Sequence, residues 1–199
     1  MKIEVFKTNE ENVLWTGKAN KAVYIKECIF TPLLLFALIW LAIDCGVIFG
    51  FIFGMGSGAP LYFIIPFFIL HLMPVWIYLF RVIFSFVRWK NLEYMVTDKA
   101  VYCLSGVFTT NCVRKTFQEI TNVSVHQGII DKHHNVGDVF IIANGKIGVN
   151  IVDIEDYLEV YKLITKTSTD IYSDTMFPND YRPKENHGYQ TEYRGNEKQ

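Results

Sequence analysis

The sequence predicts a membrane α-helical hairpin followed by an α+β domain, and two patterns carry that prediction. Residues 29–88 contain two long apolar runs, with no Lys, Arg or Glu before Arg81. From residue 92 onward, short runs rich in β-branched and aromatic residues are separated by turn residues, and one amphipathic helical pattern follows them. Strands followed by a single helix are typical of an α+β domain in which the helix covers an open end or face of the sheet.

The two apolar runs are each long enough to cross a bilayer. Residues 29–53 would be about 38 Å long as an α-helix at ~1.5 Å per residue, which exceeds the ~30 Å hydrocarbon core. Residues 61–80 reach about 20 residues, the usual length of a spanning helix. The glycine-rich residues 54–60 form the predicted turn. We therefore expect a two-helix transmembrane hairpin over residues 28–89, with residues 1–27 as a cytoplasmic lead-in.

The charges around the hairpin predict its orientation. Basic residues flank it on both sides: Lys18, Lys21 and Lys26 before it, and Arg81, Arg88 and Lys90 after it. Because the connecting turn carries no charge, the positive-inside rule places both termini in the cytoplasm and predicts a two-span protein of the cell membrane. Aromatic rings and snorkelling cations settle at the membrane interface. The expected interface anchors are Arg81, Arg88, Trp89 and Lys90.

Two ionisable residues lie near the middle of the predicted spans. Asp44 precedes the turn by about as many residues as His71 follows it, so an antiparallel hairpin brings both to a similar depth. Ionisable groups at that depth need a partner or water. Three roles stay open: an interhelical clamp that fixes the register of the hairpin, a contact with a partner membrane subunit, and a proton or ion path.

Small residues recur every four positions in the first span, at Gly46, Gly50 and Gly54. This spacing is typical of close helix packing in membranes. The stripe can seat the second helix of the hairpin or a second copy of the protein, and the first alternative is favoured.

The soluble part has the pattern of a β domain closed by a helix. Strands are predicted at residues 92–96, 100–104, 112–117 and 123–127, and a hairpin at residues 139–151. Asn144-Gly145 supplies the two positive-φ residues of a type I′ turn within that hairpin. Asp153 is the expected N-cap of an amphipathic helix that ends near Ile164. The domain is expected over residues 90–167, and the polar residues 168–199 are expected to form a disordered tail.

No residue pattern indicates catalysis, a cofactor or a metal. His133 and His134 are adjacent on a predicted polar loop, and neither they nor His126 have an acidic or cysteine partner at ligand spacing. The four cysteines form no CxxC motif. A net charge of −1 gives no bias toward nucleic acid. The sequence leaves any small-molecule ligand unknown.

Several short motifs occur in an order that resembles the bacterial pleckstrin-homology-like (bPH) family. The motifs are the lead-in Glu11-Asn-Val-Leu-Trp-Thr-Gly17, the strand end Tyr94-x-x-Thr97-Asp98, the turn residue Gly106, the stretch Ile120-x-Asn122-Val123 and the strand start Gly137-Asp138-Val139. Many members of that family have two membrane spans immediately before the domain. The resemblance implies a PH-like fold, a strongly bent antiparallel sheet or partly open barrel capped by one C-terminal helix.

The resemblance also sets the functional expectation. The family has no defined catalytic residues, so we expect a non-enzymatic, membrane-anchored interaction module at the cytoplasmic face of the bilayer. Its expected partner is a protein or a second copy of the chain, because the connections at residues 97–99 and 105–111 lack a basic cluster for lipid headgroups. The alternative is an accessory or oligomerising subunit of a transport or secretion system that depends on Asp44 and His71.

Overall fold

The computed structural model describes residues 2–54 and 61–176, which separate into a β-rich unit and a helical unit. The helical unit is Tyr24–Lys90, and the β-rich unit combines the residues up to Val23 with those from Asn91 onward. Most of the predicted lead-in therefore belongs to the β-rich unit and is not a separate segment. The predicted turn at residues 55–60 and the predicted tail beyond residue 176 lie outside the described residues.

The described residues contain six helices and seven strands. The helices are α1 (Lys21–Ile29), α2 (Pro32–Gly54), α3 (Leu61–His71), α4 (Met73–Lys90), α5 (Ile129–His134) and α6 (Tyr157–Met176). The strands are β1 (Val13–Gly17), β2 (Glu93–Thr97), β3 (Ala100–Ser105), β4 (Asn111–Thr116), β5 (Ile120–His126), β6 (Gly137–Ala143) and β7 (Lys146–Ile154). Short 3-10 turns occur at Ile3–Phe6 and Phe117–Glu119.

Two antiparallel sheets form the β-rich unit, which confirms the predicted α+β class. One sheet has the order β1-β2-β3-β4 and the other the order β5-β6-β7. The first strand was not predicted as a strand: Trp15 pairs with Val96 and Gly17 with Tyr94. The sheets are linked where the Val152 N–H donates to the Tyr94 hydroxyl at 3.1 Å.

The core of the β-rich unit lies on the inner faces of its strands. Ile3 is buried with Met95, Tyr102 and Leu104 in one apolar cluster, so the extreme N-terminus contributes to the fold. Helix α6 packs against β5 and β6. Its buried side chains include Val160, Ile164 and Ile171.

The β6–β7 turn follows the sequence prediction, whereas the start and end of α6 do not. Asn144 and Gly145 have φ of 51° and 70°, as the Asn-Gly pair predicted. Asp153 is not the N-cap, because it lies in β7 and the Val160 N–H bonds to the carbonyl of Asp156, the residue before α6. The helix continues to residue 176, so residues 168–176 are helical and not part of a disordered tail.

The helical unit differs from the predicted hairpin in its second half. By length and composition, residues 32–51 of α2 could span a membrane, with a mean hydropathy of 2.4. The second apolar run is two helices, α3 and α4, bent by 56° at Leu72, and they make a second candidate span only if the bent pair counts as one. Pro74 contributes to the break, because proline lacks an N–H and clashes with the carbonyl four residues earlier.

Candidate functional site

Asp44 and His71 are in direct contact within the helical unit. Nδ1 of His71 lies 2.8 Å from Oδ1 of Asp44, so a residue from the middle of α2 meets the last residue of α3. The Asp44 side chain is only 3% exposed. Its second oxygen, Oδ2, has no hydrogen-bond partner among the described residues. The pair can therefore hold α2 to α3, and the second carboxylate oxygen is buried without a donor among the described residues.

Aromatic side chains and one backbone group fix the position of His71. The imidazole stacks between Trp40 and Phe67, with ring centroids 5.1 Å and 5.2 Å away. At the break after α3 the Val75 N–H bonds to Leu72 and not to the His71 carbonyl. The Trp40 indole N–H instead donates to that carbonyl at 2.9 Å. The break in the helix is thus stabilised by the residues that surround the ionisable pair.

The glycine stripe faces open space in the described part of the chain. No heavy atom lies within 4 Å of a Cβ built at Gly46, Gly50 or Gly54. The favoured interpretation, in which these glycines seat the second helix of the same chain, finds no contact among the described residues. The alternative of a second copy stays open.

The predicted interface anchors lie along α4 and not in one band. Arg81, Arg88 and Lys90 are exposed, and Trp89 is half-buried. Arg81 precedes Lys90 by nine residues, which is ~14 Å along a helix. The four residues can therefore lie at the same depth only if α4 runs along the membrane surface.

A buried charge network in the β-rich unit was not predicted. The Glu11 carboxylate is buried just before β1 and accepts hydrogen bonds from Arg114 Nη2 at 2.8 Å and from the Tyr102 hydroxyl at 2.9 Å. Thr97 Oγ1 lies 2.9 Å from the same carboxylate. Arg114 Nε also donates to the Tyr102 hydroxyl at 2.8 Å. These contacts join the N-terminal segment to three strands of the first sheet.

The network determines the charge state of Glu11. Burial by itself raises the pKa of this carboxyl, but the hydrogen bonds from Arg114, Thr97 and Tyr102 outweigh burial and leave the pKa below its ordinary value of 4.5. Glu11 is therefore ionised at neutral pH and paired with Arg114. Because the Glu11 side chain is only 1% exposed and its contacts lie within the chain, we assign the network a structural role.

The motif residues beside Glu11 have a related role. The Asp98 carboxylate accepts hydrogen bonds from the Asn12 backbone N–H at 3.0 Å and from Asn12 Nδ2 at 3.1 Å. Thr97 Oγ1 also accepts the Ala100 N–H at 3.0 Å, which closes the turn between β2 and β3. The Thr-Asp pair thus attaches the segment before β1 to the β2–β3 turn.

Three side chains at the β5–β6 connection have the donor set of a metal site. His126, Asp131 and Asp138 each offer a ligand atom, and these atoms lie within 4.8 Å of one another. Sequence reasoning found no acidic partner for His126, because Asp138 is brought opposite His126 only by the pairing of β5 with β6. The predicted polar loop between these strands contains the short helix α5, which carries Asp131.

The comparison with known families gives one result. Residues 29–168 match the family described as Bacterial PH domain. The chain belongs to the bacterial PH domain family. The match includes α2 to α4 of the helical unit as well as β2 to β7 of the sheets, so both units are part of the family pattern. Neither the curated proteins nor the solved structures include a significant match to this bacterial PH domain.

Membership of the bacterial PH domain family supports, in general terms, a function in binding. PH-like domains bind protein or lipid and are generally non-catalytic, and the family therefore supports the predicted interaction module. In this bacterial PH domain the motif residues Thr97 and Asp98 have structural contacts, so the motif by itself points to no ligand. Among the ionisable side chains of the described residues, the site candidates are the Asp44–His71 pair and the group of His126, Asp131 and Asp138.

Proposed function

We propose that this protein is a membrane-anchored PH-like module that binds a protein partner at the cytoplasmic face of the cell membrane without catalysing a reaction. In this proposal α2 is one span, the bent α3–α4 pair is the second, and both termini are cytoplasmic. The anchor raises the local concentration of the module, which makes a weak interface effective.

The exposure of α2 is the observation that carries the anchoring. In its most apolar stretch, only 11% of the residues are buried although the mean hydropathy is 2.4. A soluble protein rarely exposes so large an apolar surface, and lipid tails are a suitable solvent for it. Its exposed side chains include Leu35, Leu38, Ile39, Ile43 and Phe49.

Exposed apolar side chains, and a loop without basic residues, favour a protein partner over lipid. Phe108 and Ile129 are 87% and 92% exposed, and they are the most exposed large apolar side chains among those described. The connection at residues 105–111 carries no basic residue. Recognition of an anionic headgroup depends on such basic residues, whereas exposed apolar side chains are typical anchors of protein interfaces.

The membrane topology can be tested with two variants that each contain a single cysteine. The four native cysteines are replaced by serine, and Ser57→Cys is introduced in the predicted outer turn. A membrane-impermeant maleimide should label this variant in intact cells, and a cysteine added after Gln199 should react only after lysis. Labelling of both positions from the same side would contradict the two-span topology.

Partner binding can be tested by affinity capture from gently solubilised membranes. The wild-type chain should recover a reproducible protein, and the variant Phe108→Ser/Ile129→Ser should lose it at unchanged abundance. Tyr172→Ser, at another exposed position, is the matched control and should retain the partner. Recovery of the chain alone, or of the same partner with the double variant, would contradict the proposal.

A second candidate function is that of an oligomerising membrane subunit, and the glycine stripe favours it. No heavy atom lies within 4 Å of a Cβ built at Gly46, Gly50 or Gly54, and small residues at this spacing let a helix of a second copy approach closely. Asp44→Asn and His71→Ala should then abolish function at unchanged abundance, whereas a purely structural clamp would lose abundance. Ala42→Cys, one helical turn before Gly46, should form a disulfide-linked dimer in a chain otherwise free of cysteine, and Gly50→Leu should prevent the dimer.

A further inference from the structure

The connection between β5 and β6 brings one imidazole and two carboxylates together within 13 residues of chain. His126 is the last residue of β5 and pairs across the sheet with Asp138 near the start of β6. Nδ1 of His126 lies 3.9 Å from Oδ2 of Asp138. Helix α5 supplies Asp131, whose ligand atom lies within 4.8 Å of both of these residues' ligand atoms.

The side chain of Asp131 gives a second, independent indication of a bound ligand. The residue is 1% exposed, and its Oδ1 has no hydrogen-bond partner among the described residues. Its other oxygen, Oδ2, accepts the Gly128 N–H at 2.7 Å and so caps α5. Helix capping therefore explains one oxygen and leaves a buried carboxylate oxygen without a donor. A group of that kind is costly to bury, and a bound cation would remove the cost.

Asp138 is the second buried carboxylate of the group. The residue is 9% exposed, and its Oδ1 accepts a hydrogen bond from the Asp153 N–H at 2.9 Å. Its Oδ2 lies 3.9 Å from Nδ1 of His126. A positive charge between Asp131 and Asp138 would stabilise both carboxylates.

We propose that His126, Asp131 and Asp138 form a binding site for a divalent first-row transition metal, for which zinc is the probe. One imidazole nitrogen and two carboxylate oxygens suit such an ion better than magnesium or calcium, which take oxygen ligands. Three protein ligands leave a position for water or a partner's donor group.

The geometry needs only a small adjustment. Ligand atoms around a tetrahedral zinc ion lie about 3.3 Å apart, given metal–ligand distances of about 2.0–2.2 Å. The two carboxylates are held by hydrogen bonds to the backbone, whereas the His126 side chain is 63% exposed and can rotate toward them. The exposed side of the site is therefore the histidine side, which is where an incoming ligand would meet the metal.

The test uses the full chain, purified in detergent without a polyhistidine tag and stripped with EDTA. Titration calorimetry with zinc chloride should show saturable binding of one equivalent, and magnesium at the same concentration should not bind. Asp131→Asn and His126→Ala should each weaken binding by about tenfold or more, the loss typical even of an outer-shell partner. His133→Ala is the matched control, because this histidine is exposed on α5 outside the cluster.

Two further readouts keep the outcome decisive. Asp131→Asn retains an acceptor for the Gly128 N–H, and circular dichroism shows whether the fold is intact. If that variant fails to fold, the exposed His126→Ala carries the test. X-ray absorption should detect nitrogen and oxygen ligands only. Absence of saturable binding, equal loss in His133→Ala, or a sulfur ligand from a cysteine would each overturn the proposal, and none of these results depends on membrane topology or on a partner.

Discussion

Glu11 is a carboxylate that the fold buries beside the first strand, where an isolated charge would be very costly. It is tolerated because a guanidinium and two hydroxyls contact it, and because Arg114, on β4, keeps part of its own side chain in solvent. Residues 103 positions apart are joined by this pair. Neither partner has a local sequence signal, since charged residues near short strands are common on protein surfaces.

Replacing Glu11 tests the energetic role of the network. Glu11→Gln should lower the free energy of unfolding of the β-rich unit by about 2 kcal/mol at pH 7, the range for hydrogen bonds to charged groups. The folded-state pKa of Glu11 lies below 4.5, so its contribution is present above pH 4.5 and is lost as pH falls through the folded pKa. Hydrogen exchange of the β1 and β2 amides, measured at pH 7 and in acid, should show that difference shrink.

Two variants control for that result. Lys99→Met removes an exposed ion pair with Glu10 at 3.6 Å and should change stability by less than about 1 kcal/mol. Arg114→Met should cost clearly less in the Glu11→Gln background than in the wild type, because the two residues are coupled. Strictly additive losses would show that Glu11 and Arg114 do not act as a pair.

Two positive-φ glycines differ in what surrounds them and so provide a matched pair. At Gly106, φ is 148° and a Cβ would lie 1.8 Å from the Thr109 carbonyl oxygen; at Gly145, φ is 70° and a Cβ would meet open space. Gly106→Ala should therefore destabilise the β-rich unit by about 3 kcal/mol or more, and Gly145→Ala by about 1 kcal/mol. Thermal denaturation of the two variants compares them directly, and equal losses would mean that the Thr109 contact is unimportant.

Among the elements, those with strong local signals were predictable from the sequence. The strands from β2 to β7 and the Asn144-Gly145 turn follow from alternation and turn chemistry. The strand β1 was missed because its five residues lie alone among polar residues and form a strand only by pairing with β2. Helix α5 was missed because six residues are too short for a helical period.

The end of α6 was predicted too early although the sequence carries a signal for it. Val160, Ile164 and Ile171 are all buried, and their spacing of four and seven residues is that of one helical face. The Ser, Thr and Asp residues that follow position 166 have modest helix propensity, and they masked this signal. Packing against the sheet outweighs that propensity.

The C-terminal half of α6 should therefore contribute to stability. Ile171→Ala removes a buried side chain and should cost about 2–4 kcal/mol, whereas Tyr172→Ala, at the exposed neighbour, should change stability by less than about 0.5 kcal/mol. A stop codon after Lys166 should be at least as damaging as Ile171→Ala, and one after Met176 should be much milder. Hydrogen exchange in β5 and β6 measures the effect. Full protection after truncation at Lys166 would show that this half of the helix is dispensable.

The β-rich unit is discontinuous in the sequence. The helical unit, Tyr24–Lys90, lies in sequence between two parts of one β-rich unit. The apolar composition of the helical unit was evident from the sequence, but the attachment of the N-terminus to the β-rich unit was not, because it depends on Ile3, Glu11 and β1 making contacts about 90 residues away. Removing residues 91–199 would thus leave an unpaired strand behind, and expressing them alone would expose the edge of β2.

Joining the two parts of the β-rich unit tests this organisation. Residues 2–23 fused to residues 91–176 through a Gly/Ser linker of about 20 residues, which spans roughly 25 Å on average, should give a soluble domain that unfolds cooperatively. Residues 91–176 alone should not, because they lack β1 and the carboxylate that pairs with Arg114. A fusion with residues 2–23 in scrambled order is the matched control for length and composition. The measurement is hydrogen-exchange protection of β2, which becomes an unpaired edge without β1. Strong protection of β2 in the fusion and weak protection in both other chains is the expected result, and equal protection in all three would mean that the N-terminus is not required by the fold.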